Sequence, residues 1–153
     1  MKVYLVRHGK SVAPAKDPSQ PLSEDGREEI RHMARTLANI NLKVGTILHS
    51  GKLRAKETAL EIAEVIKPAG GVKEARGLAP NDDPAQAIEK IETAQEDLML
   101  VSHLPFLDNL LKKLVKPAQA EEMPSFDCGA LIGVEKVGEQ WQIFRQLGPR
   151  MIY

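Results

Sequence analysis

The sequence predicts a three-layer α/β/α fold with a mostly parallel central sheet, and two observations carry that expectation. Short apolar runs alternate with segments whose apolar residues recur at helical spacing, the pattern of strands covered on both faces by helices. Three of the runs, VYLV, GTIL and DLMLV, lead into Arg, His or Ser, so the polar chemistry gathers at the carboxyl ends of strands. At 153 residues the chain is long enough for one domain with its own core, expected to span residues 1–153, and too short for two comfortable ones.

The first element is the run Val3 to Val6, which stops abruptly at Arg7-His8-Gly9. A loop holding Pro14, Pro18 and Pro21 follows, and then PLSEDGREEI, where Ser23 is placed to cap a helix with an acidic first turn. Ile30, Met33, Ala34 and Leu37 recur at helical spacing and lay one face of that helix on the sheet. GTILHS, from Gly45 to Ser50, is the second strand. The helix after it carries Ala55, Thr58, Ala59, Ile62 and Ile66 on one face and ends before Pro68 and Gly70-Gly71. Gly77 to Pro84 reads as a loop, and Pro84 opens a weaker helix with Ile88 and Ile91 facing inward. DLMLVSH, from Asp97 to His103, is the third buried strand. Pro105 suits the first turn of a helix with Leu107, Leu110, Leu111 and Leu114 on one side. The tail from Ala130 to Leu147 is expected to form a hairpin turning near Gly138-Glu139, with Trp141, Ile143 and Leu147 packing inward.

Composition narrows the function classes. Lys+Arg and Asp+Glu are both 21, the formal net charge is +0, and no block of like charge offers a footprint for nucleic acid or an acidic membrane. Any basic site must be local. The single cysteine, Cys128, has no internal disulfide partner and is expected to be a small, half-buried residue. No apolar stretch approaches a membrane span, and Met1-Lys2 leads straight into a strand instead of a signal-peptide pattern, so the expected location is cytoplasmic.

The three strand ends bring His8 and His103 together with Arg7 and Arg54 at one rim. Arg offers a planar fork of donors that fits phosphate oxygens and stays charged. With that anionic charge neutralised, phosphorus becomes open to an imidazole nitrogen, provided the other ring nitrogen is held by an acceptor such as a backbone carbonyl. In a regular strand Arg7 and His8 would face opposite ways, so the strand must break near His8, and Gly9 makes that break feasible. Arg54, in a helix's first turn, opposes the helix dipole unless an anion binds there; its bland alternative is pairing with Glu57 or Glu61 on its own helix. His32 and His49 read as surface or satisfied core residues, Lys52 and Lys56 as solvent-facing charges, and Ser11, Ser50 and Ser102 stand between turn roles and ligand contact. The rim also includes FDCGALIGVE, from Phe126 to Glu135, with no contact assigned.

In order along the chain, RHG, PLSEDG, HSGKLRAKET (His49 to Thr58) and VSHLP (Val101 to Pro105) resemble the motifs of the histidine phosphatase, or phosphoglycerate mutase-like, superfamily. The resemblance runs from Lys2 to the region of Leu114. The short chain, with no room for a helical cap between motifs, is similar to the branch of small SixA-type phosphohistidine phosphatases. The resemblance implies that His8 is the nucleophile and is transiently phosphorylated, and that Arg7, Arg54 and a protonated His103 surround the phosphoryl oxygens. It further implies that Ser11 donates another hydrogen bond, that phosphate or sulfate can occupy the site, and that neither metal nor other cofactor is required. The implied substrate is a phosphohistidine-bearing protein partner.

Larger relatives carry an acid between the second and third motifs, to protonate an alkoxide leaving group. Here that segment reads EARGLAPNDDP, from Glu74 to Pro84, with Gly-Leu where the acid is sought; Asp82 and Asp83 are the possible acids. A P–N substrate tolerates such a gap, since an imidazole leaving group is protonated more readily than an ester oxygen. The alternatives are a phosphate-monoester phosphatase and a non-catalytic phosphate or phosphoprotein sensor. A four-histidine metal module finds no short ligand spacing among His8, His32, His49 and His103.

Overall fold

The structure, a computed structural model, describes residues 1–115 and 124–149. Its elements run β1 (Lys2–Arg7), α1 (Glu24–Asn39), β2 (Thr46–His49), α2 (Leu53–Ile66), β3 (Val72–Glu74), α3 (Ala85–Thr93), β4 (Leu98–Ser102), α4 (Phe106–Leu114), β5 (Leu131–Val137) and β6 (Gln140–Leu147). They build one six-stranded sheet in the order β3-β2-β4-β1-β5-β6. Strands β1 to β4 are mutually parallel, while β5 and β6 are the antiparallel hairpin added beside β1. The expected three-layer α/β/α architecture is what is observed.

Strand alternation sorts the core into two halves. Val3 and Leu5 face the layer formed by α3 and α4, with Leu98, Leu100, Phe106, Leu110 and Ile132. Tyr4 and Val6 face the opposite layer, with Ile30, Met33, Leu37, Ile47, Ala59 and Ile62 of α1, β2 and α2. All five residues of β4 are buried, as a central parallel strand requires.

Local signals act as the sequence suggests. Ser23 caps α1, its hydroxyl accepting from the Gly26 N–H at 3.0 Å, and Glu24 and Asp25 fill the first turn. The final hairpin turns at Gly138, whose φ of +64° favours glycine. Three details differ. Strand β3 was not foreseen, because its three residues are half-buried or exposed and hold only one edge of the sheet. Pro84 and Pro105 are the N-cap residues, one position outside the helices they open. Ile66, Ile88 and Ile143 are only partly buried, at the margins of the two cores.

Gly26 matters because α1 lies directly on the segment after β1: a Cβ there would run into the Lys10 carbonyl. That carbonyl also accepts from the Ser23 N–H at 2.9 Å, so it cannot easily withdraw. Ala is the better helix former by ~1 kcal/mol. Even so, Gly26→Ala is expected to lower the thermal midpoint by about 4 °C or more. An unchanged or raised midpoint in a melting experiment would mean that Lys10 does not press on the helix.

Candidate active site

The site is built where β1 and β4 stop. Arg7 is in register with Ser102, and the ladder continues one residue further through the His8 N–H, which donates to the Ser102 carbonyl at 3.0 Å. The next side chains, His8 and His103, therefore emerge side by side, with ring centroids 5.0 Å apart and planes inclined at 51°. Strand β1 ends at Arg7, and the Arg7 guanidinium is near enough to His8 to help lower its pKa.

His8 is only 9% exposed and His103 2%. The Nδ1 of His8 lies 2.7 Å from the Gly9 carbonyl. A carbonyl only accepts, so Nδ1 carries the hydrogen and Nε2 keeps its lone pair. Gly9 is in turn fixed from α2: its N–H donates to Thr58 Oγ1 at 3.0 Å, and the Thr58 hydroxyl spends its own hydrogen on the Arg54 carbonyl at 2.7 Å. One buried threonine thus joins the His8 loop to the helix that carries Arg54.

Arg7 donates from Nη1 to the Phe126 carbonyl at 2.8 Å, while its buried Nε has no partner among the described residues. The Gly129 N–H meets the Arg7 and His8 carbonyls, both at 3.0 Å, so the Phe126 to Gly129 rim grips this corner directly. Arg54 is the second residue of α2; no acidic residue stands in that first turn, and the N-cap Lys52 makes no side-chain cap. The helix start therefore presents uncapped N–H groups and a cation, an arrangement that favours an anion. Arg54 does not pair with Glu57 or Glu61, which bind Arg27 and Arg31 of α1 instead. Burial pulls its pKa down from the ordinary arginine value.

His103 shares its Nε2 with the Ser50 hydroxyl at 2.6 Å, and its buried Nδ1 has no partner. Burial, then His8, Arg54, Lys52 and Arg7, push its pKa down to about 3, so His103 is neutral at rest; the protonated form that the resemblance implies is the one beside a phosphoryl group. His8 is lowered to about 4, chiefly by burial and by Arg54 and Arg7, against a raising effect of its bond to Gly9. Its neutral form, with Nε2 unprotonated, is thus the resting one.

The structure does not join every candidate to this cluster. Ser11 bridges to Leu22 and makes no hydrogen bond with His8, His103, Arg7 or Arg54. The Asp82 carboxylate accepts from the Ala79 N–H at 2.9 Å, and that of Asp83 accepts from Ala85 at 2.9 Å and faces Lys113 at 3.9 Å. Both acids are engaged in their own turn, and neither bonds to a residue of the cluster. Just before them Leu78 is fully buried, and its carbonyl accepts from the Ser102 hydroxyl at 2.5 Å. His49 is a satisfied core residue: its Nδ1 accepts from the Gly51 N–H at 3.0 Å. Ser50 and Ser102, open in the sequence between turn roles and ligand contact, bond to His103 and to the Leu78 carbonyl, and Thr58, on the core face of its helix, also ties the His8 loop to α2. A hydroxyl on an otherwise apolar helix face was the available signal for Thr58.

The family model described as Histidine phosphatase superfamily (branch 1) matches residues 3–79, half of the chain and the whole of the Arg7-His8-Gly9 and Arg54 region. The chain belongs to the histidine phosphatase superfamily. Among relatives in this superfamily, phosphohistidine phosphatase SixA of Escherichia coli strain K12 is 26% identical over 139 residues, which is 88% of this chain and 84% of that protein. A solved structure of the protein histidine phosphatase SixA complexed with tungstate superposes with a TM-score of 0.81 at 26% identity, covering 97% of both chains. A phosphoserine phosphatase variant from Entamoeba histolytica, bound to phosphoserine, shares the fold with a TM-score of 0.73 at 13% identity, covering 97% of this chain and 98% of that one. The SixA match in length and layers agrees with a sheet that bears no helical cap insertion. Among the described residues no helix is long and apolar enough to cross a membrane.

The lowered histidines give a signed pH dependence. An unfolded imidazole protonates near its ordinary 6.5, whereas His8 and His103 resist protonation down to about 4 and 3. The unfolded state therefore binds more protons below 6.5, and this share of stability, complete above 6.5, is lost as pH falls toward 4. The urea midpoint of the wild type is expected to fall between about pH 7 and 5, and to fall less in His103→Gln. Parallel curves for the two proteins would contradict a neutral, buried His103.

Proposed function

We propose that the protein is a phosphatase that works through a phosphohistidine on His8 and acts on phosphohistidine of a protein partner. The observation that carries this reading is the His8 ring, held by Gly9 with Nε2 unprotonated beside Arg7, Arg54 and His103. In the first step the Nε2 lone pair forms a bond to phosphorus while the bond from phosphorus to the substrate nitrogen breaks. The leaving imidazole takes that electron pair, and with a hydrogen on its other nitrogen it departs as a neutral ring. Arg7 and Arg54 neutralise the phosphoryl oxygens, and the added negative charge favours proton uptake by His103. Water then attacks phosphorus, the bond to Nε2 breaks, phosphate leaves with the proton, and His8 regains its lone pair.

The choice of a P–N bond is supported by the segment from Gly77 to Asp83. Leu78 is in the core, and Asp82 and Asp83 are bonded to their own turn, so this segment brings no acid to the His8 cluster for an alkoxide. A protein-borne substrate is supported by the uncapped rim, where Arg7 lines a hollow of about 610 Å³ shared with Lys10, Glu29, Asp127, Cys128, Gly148 and Pro149.

The test compares phosphohistidine with an aryl phosphate ester, using wild type and His8→Ala without added metal. Phosphohistidine is expected to be cleaved in preference, and His8→Ala to lose about 10³-fold or more in turnover. Faster cleavage of the ester would move the assignment to phosphate monoesters, and full activity in His8→Ala would end the covalent mechanism.

A further inference from the structure

Arg54, Glu57, Thr58 and Glu61 follow one another at the spacings that place them on a single face of α2. Thr58 shows which way that face turns, since its hydroxyl bonds both Gly9 and the Arg54 carbonyl. Glu57 is thus one turn from Arg54 and is its natural partner on an isolated helix. It is used otherwise. Its Oε1 accepts from the Leu22 N–H at 2.8 Å, and its Oε2 accepts from Arg27 Nη2 at 2.9 Å. The other arm of Arg27 donates to Glu61 Oε1 at 2.8 Å, and Glu61 Oε2 accepts from Arg31 Nε at 2.9 Å. Among the described residues no carboxylate pairs with Arg54. Its pKa is displaced downward by burial, with no carboxylate holding it up.

We propose that Arg27 is a positioning residue for anion binding: by bridging Glu57 and Glu61 it withholds the Glu57 carboxylate from Arg54 and leaves that guanidinium open to a phosphoryl group. The inference rests on the reading of Arg54 as a phosphate ligand. Glu57 is needed where it is, because it closes the loop at Leu22, whose side chain packs within reach of Gly9. A carboxylate at that place, one turn from an unpaired cation, competes with the incoming anion unless a second cation claims it. Arg27 does so with a fork that also ties α1 to α2. Without it, phosphate would have to displace Glu57.

The probe is inorganic phosphate, with its Kd measured by calorimetry on the full chain. Arg27→Met is expected to raise the Kd about two- to fivefold. Arg27→Met/Glu57→Gln is expected to return it to the wild-type value without restoring the thermal midpoint. Arg27→Met/Glu61→Gln carries the same net charge and is expected to leave the Kd raised. An unaltered Kd in Arg27→Met, or equal rescue by both glutamines, would overturn the proposal. Should Arg27→Met fail to fold, Arg27→Lys replaces it in every comparison, since an ammonium lacks the fork that spans both carboxylates. Arg54→Ala separates the two layers of inference. A Kd raised in Arg54→Ala but not in the Arg27 variants removes only the positioning role, whereas a Kd untouched by Arg54→Ala removes the reading of Arg54 itself.

Discussion

The parallel pairing of β1 with β4 is the constraint on which the site depends. Because Arg7 stands opposite Ser102, and because the ladder extends one bond beyond both strands, His8 and His103 have no choice but to leave the sheet together. A register slip of one residue would send one ring to the other face. Proximity then sets the electrostatics: each imidazole is buried beside the other and beside Arg7 and Arg54, and both are neutral at rest. The unprotonated state a nucleophile requires follows from packing and needs no separate base.

The same corner solves a problem of charge. A chain with net charge +0 builds a local positive site by arranging its carboxylates as carefully as its cations. Glu57 and Glu61, adjacent to Arg54 in sequence, are bound to α1; Asp82 and Asp83 are bound within their own turn. Among the described residues, the cluster keeps Arg7 with a buried Nε that has no partner, Arg54 at an uncapped helix start, and His103 with a buried Nδ1 that has no partner. Buried polar nitrogens without partners are costly in a folded protein, and two of them belong to this cluster.

Much of this was legible in the sequence, and the limits have physical causes. Strands β1, β2 and β4 are apolar runs bounded by breakers, and a strand end carrying Arg7-His8-Gly9 states its own chemistry. The cluster of His8, His103, Arg7 and Arg54 followed from topology, since carboxyl ends of parallel strands share one rim. Strand β3 was hidden because three residues on an edge have too little buried surface to leave a pattern. The partner of Glu57 was also hidden: Arg27 meets it across 30 positions, and only the packing of α1 on α2 reveals that a local pairing with Arg54 loses to it. The neutral resting state of His103 was hidden for a related reason, because its burial beside other cations shows only in the packing.

The missing acid has a structural basis that goes beyond composition. Leu78 is fully buried against the α3 and α4 layer, and the Ser102 hydroxyl, at the last position of β4, holds its carbonyl. Truncating a leucine so placed costs about 2–5 kcal/mol, so the segment cannot rotate to offer another side chain without emptying part of the core. Gly77 adds a second restraint, since its φ of +87° disfavours other residues and a Cβ would press on Gln86. Neither Gly77 nor Leu78 can give way to a carboxylate and leave the loop as it is. The strand end that positions His103 also fixes the segment without an acid, and the proposed preference for a leaving group that needs none is therefore tied to the same β4 terminus as the proposed phosphate site.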